Sequence, residues 1–250
     1  MAIYDINCFY GHWPFRYLRH ESLPELIRTH HKAGIAGGAL GFLDSIFYND
    51  PSEGDDKMMR IIPGSQYIPT PSINPKLPMV INDIERYTPK AVRVYPYMHG
   101  YKLTDECFAP VAEYLSAHGI RLLVNTRLYV SREAYFFLAP DPDMDNEAEF
   151  AKRYPDLKIA FLGHDRPELT HRKFSDTVRN SGNIVCDTSF VRMAPMNVIA
   201  DSIGIENIVF GSSHPLLCLE STRLTLEKAG FGDDGTAAVF GGNYLRFMGL

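Results

Sequence analysis

Polar side chains follow the apolar, strand-like runs of this 250-residue sequence, beginning with the first run. Residues 4–16 start as a strand and end in a loop that is rich in polar and aromatic groups. Strand alternation places Asp5, Asn7 and Phe9 on the same face. A buried carboxylate or amide is costly without a partner, so Asp5 and Asn7 are the first candidate site residues.

Four of the nine histidines come just after strand-like runs, namely His12, His99, His164 and His214. An imidazole can exchange a proton near neutral pH or ligate a metal, which makes these four candidates for a site. The alternative, which the sequence leaves open, is that they are loop histidines bonded to the backbone. Three further histidines fall before or within the first predicted helix: His20, His30 and His31.

Arg93 is the strongest single candidate, because an arginine inside a strand needs an anion or a carboxylate beside it. Alternation puts Tyr95 on the same face of that strand, where it is a further donor or simply packs. A guanidinium can hold a substrate carboxylate through two parallel hydrogen bonds, and Arg127 would double that capacity. The alternative is an internal ion pair between Arg93 and either Asp5 or Asp187.

Strand-like runs alternate with helical patterns along the whole chain. The predicted strands are 2–8, 36–43, 67–72, 91–95, 121–125, 158–163, 184–188 and 207–211. The predicted helices are 23–33, 53–62, 78–87, 105–118, 145–154, 167–179, 191–203, 217–229 and 243–248, with Ser22 capping the first. Eight strand-then-helix units predict parallel strands in an α/β fold, a closed (β/α)8 TIM barrel that spans residues 1–250 as one domain. The site of such a barrel lies at the C-terminal ends of its strands.

Composition narrows the class of protein. The net charge of -5 and the lack of any basic run argue against nucleic-acid binding. The four cysteines form no CxxC pair, so we expect reduced thiols and a cytoplasmic location. No signal peptide and no membrane span are predicted. The expected partner is a small-molecule substrate, and a homo-oligomer is left open.

Four stretches resemble the amidohydrolase-related superfamily. They are residues 3–9, 158–164, 208–215 and 242–246, which are similar to its first, sixth and eighth strands and to its closing Gly-Asn helix. The resemblance covers the whole chain. It implies a barrel that hydrolyses C–N or C–O bonds or decarboxylates its substrate, usually with one or two divalent metals.

The metal ligands that the resemblance implies are largely replaced. Asn7 and Phe9 stand at the two first-strand histidines, Asn125 at the fifth-strand histidine and Ser213 at the eighth-strand aspartate, and only His164 matches. A divalent site needs three or four N, O or S ligands. We therefore predict no metal at this position and no cofactor. The alternative is one zinc ion at a displaced site built from the four strand-end histidines.

These residues favour a hydrolase that acts on a small, carboxylated amide or lactone without a metal. His164 or His214 would be the general base on water, and Asn7 and Asn125 would donate to the oxyanion, with Ser213 beside them. The predicted substrate-binding residues are Arg93, Arg127, Tyr95, His12, His99 and Asp5. Two alternatives remain open, a barrel that binds small molecules without turnover and a hydrolase or decarboxylase with a displaced metal site.

Overall fold

The computed structural model describes residues 2–61, 66–129, 140–191 and 195–250. Its strands are β1 (Ile3–Tyr10), β2 (Ile35–Phe42), β3 (Tyr67–Pro69), β4 (Ala91–Val94), β5 (Arg121–Asn125), β6 (Ile159–Leu162), β7 (Ile184–Asp187) and β8 (Ile208–Val209). All strand pairs are parallel, in the order β1-β2-β3 and β4-β5-β6-β7-β8. Each of the eight predicted strands therefore has a counterpart.

Backbone hydrogen bonds join the two sets of strands at both seams. Between β3 and β4, Arg93 N donates to Pro71 O at 2.8 Å and Ile73 N donates to Arg93 O at 2.9 Å. Between β8 and β1, Ile6 N donates to Phe210 O at 3.0 Å, and Ser213 N donates to Asn7 O at 2.7 Å. These bonds complete the ring of strands, and the predicted TIM barrel is confirmed.

Helices follow the strands, as predicted. In the described ranges they are α1 (Leu23–Lys32), α2 (Ser52–Ile61), α3 (Val80–Tyr87), α4 (Pro96–His99), α5 (Ala109–Ala117), α6 (Met144–Arg153), α7 (Arg166–Leu169), α8 (Arg172–Ser181), α9 (Met196–Ile203), α10 (Leu219–Glu227), α11 (Gly232–Ala237) and α12 (Asn243–Met248). The helix predicted over 167–179 is two helices, and residues 192–194 of the one predicted over 191–203 lie outside the described residues. No helix in the described part of the chain is long and apolar enough to cross a membrane.

Apolar side chains fill the lower part of the barrel. This interior layer consists of Ile6, Ala39, Ala91, Leu123, Ala160, Leu162, Val185 and Val209, with Tyr244, Phe247 and Met248 of α12 packed against it. Two residues further along three of these strands, Arg93, Asn125 and Asp187 point into the same interior, because strand side chains alternate. A polar layer therefore lies above the apolar one, at the C-terminal ends of the strands.

Strand β1 does not keep its alternation. Its pairing with β2 shifts register between Asp5 and Cys8. Ile6 packs inside the barrel and Asn7 bonds to Arg93 there, whereas Cys8 packs on the outside, among residues of α1. A β-bulge adds one residue to a strand, so the adjacent residues Ile6 and Asn7 both face the interior and Asp5 faces outward. The prediction that Asp5 and Asn7 share a face is therefore wrong.

Helix α1 lies against the outer face of β1. Its buried residues are Leu23, Leu26 and His30, which recur at the three-to-four-residue spacing of one helix face. Ser22 precedes the helix, but its hydroxyl donates to the Glu25 carboxylate at 2.7 Å and does not cap the backbone. The spacing brings the His30 side chain to the bulge in β1.

Candidate functional site

The guanidinium of Arg93 lies inside the barrel with none of its side chain exposed. It donates five hydrogen bonds of 2.8–3.1 Å, and the acceptors are Thr70 Oγ1, Asn7 Oδ1, Asn125 Oδ1, Ile6 O and Ala39 O. Five is the full number of N–H groups of an arginine side chain. Its Cζ also lies 4.7 Å from the ring centroid of Phe9, a cation–π contact.

This geometry corrects the prediction that Arg93 grips the substrate, since protein acceptors take all of its donors. It also corrects the predicted ion pair, because none of the five acceptors belongs to a carboxylate. The nearest link to a negative charge runs through an amide: Asn7 Nδ2 donates to Asp187 Oδ2 at 2.9 Å. Burial raises the pKa of Asp187, and hydrogen bonds from Gly163, Ser189 and Asn7 oppose that rise. Asn7 thus bridges a buried cation and a buried carboxyl group.

Asn7, Asn125 and Ser213 come together as predicted, but they bond to one another. Asn7 Nδ2 donates to Ser213 Oγ at 2.8 Å, and Asn125 Nδ2 donates to Asn7 Oδ1 at 3.0 Å. With Arg93 and Asp187 they form what we call the polar network. Their role as oxyanion donors stays a prediction.

Apolar side chains from the end of β1 and from several loops pack at the C-terminal ends of the strands, beside the polar network. This mouth cluster consists of Phe9, Trp13, Leu18, Leu43, Ile46, Tyr95, Leu128 and Leu216. Burial within it raises the pKa of Tyr95 to about 12. Tyr95 is therefore a packed residue, which was one of its two predicted interpretations. The side chains of the polar network beside it are buried as well.

Arg127 is the predicted anion-binding residue whose donors are not all used by residues that the structure describes. Its Nη1 donates to Gly163 O at 3.1 Å and its Nη2 to Glu168 Oε1 at 2.8 Å, so described residues use two of its five N–H groups. The side chain is 21% exposed, and its Cζ lies 5.8 Å from the Phe190 ring centroid. Burial would raise the pKa of Glu168, but the hydrogen bond and charge of Arg127 outweigh it and lower that pKa.

The four strand-end histidines have separate surroundings. His12 is exposed and its Nδ1 lies 3.8 Å from Glu21 Oε2, whereas His99 Nε2 is 3.0 Å from the carbonyl oxygen of Ile46. The His99 contact matches the backbone-bonded alternative. Burial lowers the pKa of His99. In the described part of the chain these histidines form no group with metal-ligand spacing, so the predicted four-histidine zinc site is wrong.

His164, the predicted general base, lies in the outer core behind β6. Its Nε2 is 2.9 Å from Glu147 Oε2, and its ring packs on Phe161 and Phe174. The ring N–H does not point along the contact with the carboxylate, so the pair is a close contact of poor hydrogen-bond geometry. Tyr97 donates to the other oxygen of Glu147 at 2.8 Å. Sequence reasoning missed Glu147 and Tyr97, which follow no motif.

A second group of polar residues lies on the outer side of β1. We call Asp5, Cys8 and His30 the outer cluster; their ligand atoms lie within 4.8 Å of one another and all three residues are buried. Burial raises the pKa of Asp5 and of the Cys8 thiol and lowers the pKa of His30 to about 4. Asp5 is thus not part of the predicted substrate pocket. The spacing of Leu23, Leu26 and His30 was the sequence signal that could have placed His30 here.

Comparison with known proteins settles the fold. No family model matches the chain, and no curated protein matches it. Among solved structures, 5-carboxyvanillate decarboxylase from Sphingomonas paucimobilis shares 15% identity and a TM-score of 0.74 over 100% of this chain and 99% of its own. Amidohydrolase 2 from Bifidobacterium longum subsp. infantis shares 13% identity and a TM-score of 0.66 over 100% of both chains.

A third match is dihydroxybenzoic acid decarboxylase from Polaromonas sp. JS666, with 12% identity and a TM-score of 0.75 over 100% of this chain and 97% of its own. This chain has the amidohydrolase-related fold. At these identities the likeness is one of fold, and it agrees with the motifs at 158–164, 208–215 and 242–246.

The prediction of no cofactor is wrong. Two decarboxylases with the amidohydrolase-related fold were crystallised with bound manganese. This chain also gathers a carboxylate, a thiol and an imidazole in the outer cluster, with ligand atoms close enough to share one ion. These findings point to a metal rather than to none.

The donor atoms decide where a metal fits. At the positions that the resemblance assigns to the metal ligands, Asn7 Oδ1 and Asn125 Oδ1 already accept from Arg93, and Phe9 offers no ligand atom. A divalent ion there would also lie beside a guanidinium charge, which is unfavourable in a buried site. These positions therefore do not fit a metal in this chain. The outer cluster does, since it offers one O, one S and one N ligand.

Proposed function

We propose that this chain is a hydrolase or decarboxylase that binds a small carboxylated molecule at the C-terminal mouth of the barrel, with the carboxylate on Arg127. The fold supports the reaction class, because matched structures include an amidohydrolase and decarboxylases. Two of the matched decarboxylases are named for carboxylated compounds, 5-carboxyvanillate and dihydroxybenzoic acid, which supports a carboxylated substrate.

The geometry of Arg127 is the observation on which the proposal rests. Glu168 and the Gly163 carbonyl hold the guanidinium by one side, and the Phe190 ring lies beside it. The remaining donors suit a carboxylate, which a planar guanidinium can bind through two parallel hydrogen bonds. The partial burial of the side chain strengthens such a pair relative to one in water.

Each part of the mouth has a role in this proposal. Arg127 binds and orients the substrate carboxylate, while the mouth cluster excludes water from the apolar part of the substrate. The polar network fixes the strand ends that position Arg127. Asp5, Cys8 and His30 are the residues that would hold a divalent metal. Such an ion, when bound, would stabilise the fold on the outer side of β1.

A substrate panel with two arms tests the proposal. Small aromatic carboxylates are followed for release of CO2, and amides and lactones of small carboxylic acids are followed for hydrolysis, with Zn²⁺ or Mn²⁺ supplied. We expect turnover in one arm, and we expect Arg127→Met to lower kcat/KM by about a hundredfold or more, since a charge-assisted bidentate contact is lost.

Arg153→Met is the matched control, because Arg153 makes an exposed ion pair with Glu149 of the same helix. It should leave kcat/KM unchanged. Turnover by Arg127→Met at the parental rate would contradict the proposal, and so would a panel without turnover or binding.

A binding protein without turnover is the second candidate, because the polar network is saturated and buried beside the mouth cluster. The one tryptophan of the chain, Trp13, lies in that cluster and reports binding through its fluorescence. Carboxylates that change this fluorescence in the parent and not in Arg127→Met, with no product in either arm, would favour this candidate.

A further inference from the structure

We infer that the outer cluster is a zinc site with four protein ligands, Asp5, Cys8 and His30 being completed by His214. It lies between β1, α1 and the loop after β8, outside the ring of strands. The inference deepens the metal part of the proposed function, but it does not depend on the substrate or on Arg127.

The first three ligands already have nearly the spacing that an ion requires. His30 Nε2 is 3.9 Å from Asp5 Oδ2, and the ligand atoms of the outer cluster lie within 4.8 Å of one another. Zinc bonds of about 2.0–2.3 Å in a tetrahedron separate the ligand atoms by roughly 3.3–3.8 Å. A contraction of at most about 1.5 Å would therefore bring these three ligands to zinc-binding distance.

The fourth donor in this inference is His214, which lies outside the 4.8 Å spacing of the other three ligands and has to move toward them to bind the same ion. Its ring centroid is 5.4 Å from that of His30, and the Nε2 atoms of both rings are buried without a hydrogen-bond partner among the described residues. Two buried imidazoles with an unused nitrogen each, beside a carboxylate and a thiol, are what a metal ion would satisfy.

Neighbouring groups hold the ligands in place. Tyr67 Oη is 2.9 Å from His30 Nδ1, so the other ring nitrogen faces the cluster. The backbone N–H groups of Asn7 and Ser212 each donate to Asp5 Oδ1 at 3.0 Å. The backbone N–H of His214 donates to Ser212 Oγ at 2.9 Å, which holds this residue in place. In known metal sites, hydrogen bonds between the ligand residues and neighbouring groups orient the ligands in the same way.

The ligand types favour zinc over manganese. A thiolate and two imidazoles are soft or intermediate ligands, which suit zinc, whereas manganese prefers carboxylates and water. With four protein ligands the ion has no open position, so it would tie β1, α1 and the loop after β8 together. Binding would displace the Cys8 thiol proton to solvent. The exposed His20, whose ring centroid is 6.0 Å from that of His214, marks the entry side.

Metal titration of the 250-residue chain, after treatment with a chelator, tests the inference. We expect Zn²⁺ alone to bind at one ion per chain and to raise the melting temperature. We expect Co²⁺ in its place to show a thiolate-to-cobalt charge-transfer band. Cys8→Ser should lose that band and weaken Zn²⁺ binding by at least about tenfold. Cys186→Ser, at a second buried cysteine, is the control and should keep both.

The variant His214→Ala distinguishes a site with four protein ligands from a site with three. It should weaken Zn²⁺ binding, whereas His171→Ala at an exposed position should not. Circular dichroism of each apo variant establishes that it is folded before titration. The inference would be overturned if the folded parent did not bind Zn²⁺ stoichiometrically, or if the charge-transfer band persisted in Cys8→Ser. Turnover in the substrate panel without zinc binding would overturn the zinc inference and leave the proposed function standing. Zinc binding without turnover in the panel would support the zinc inference and contradict the proposed catalytic activity.

Discussion

A buried guanidinium is stable only when each of its five N–H groups has an acceptor, and Arg93 meets that need within the protein. The need for partners was predictable from the residue type and its place in a strand. The identity of the partners was not, because amide, hydroxyl and carbonyl oxygens were found where a carboxylate was expected. A bulge in β1 had turned Asp5 away.

Removal of the Arg93 charge should be costly. Arg93→Met would leave Asn7 Oδ1 and Asn125 Oδ1 without their donor and Asp187 without a nearby positive charge. We expect the free energy of unfolding to fall by about 3–5 kcal/mol, because buried acceptors lose their donors and a buried carboxyl group loses a nearby positive charge. Urea unfolding followed by Trp13 fluorescence measures it. Arg153→Met should change it by no more than about 0.5 kcal/mol, and a similar small change in Arg93→Met would show that the network is not structural.

Glu168 gives the stability a predictable pH dependence. Its pKa in the folded protein is below the ordinary glutamate value of 4.5, so its contribution to stability is present above pH 4.5 and is lost as the pH falls through the folded pKa. We expect Glu168→Gln to be less stable than the parent at pH 7, with the difference shrinking below pH 4.5. Unfolding measured from pH 7 to pH 3 decides this; a difference that grows on acidification would mean that Arg127 does not stabilise the carboxylate.

At the scale of elements, all eight strands and most helices were predictable, because their periodicity is local. The bulge in β1 was not, since it depends on how closely β2 approaches. Helix α11 was missed because Gly232 and Gly235 make the segment a poor helix former by propensity. The one helix predicted over 167–179 breaks at Thr170, whose hydroxyl donates to Arg166 O at 2.8 Å.

The close approach of β1 and β2 can be tested at Gly38. A Cβ added there would lie 2.0 Å from Asp5 O, so a backbone shift is unavoidable. We expect Gly38→Ala to lower the free energy of unfolding by about 1–3 kcal/mol through overpacking. Gly242→Ala is the matched control, because the nearest atom to an added Cβ is 3.8 Å away. A neutral Gly38→Ala would show that the strands are farther apart than described.

At the scale of the whole molecule, the repeat of strand and helix was sufficient to predict the barrel. The mouth cluster could not be predicted, because it depends on loops that follow different strands and meet only in the folded chain. The contacts of the four strand-end histidines could not be predicted for the same reason. Each was placed correctly after a strand, but strand ends on a ring point in different directions. His164 and His214 therefore have different surroundings.

The guanidinium of Arg93 stands among the side chains that replace the metal ligands implied by the resemblance, and it is attached to the chain by a covalent bond. A bound ion can be withdrawn by a chelator, exchanged for a competitor or left out when supply is low, whereas this cation is synthesised together with the protein. The strand ends at the barrel mouth therefore keep their positive centre in every metal-poor environment. Any dependence of this molecule on metal supply would be confined to the other side of β1.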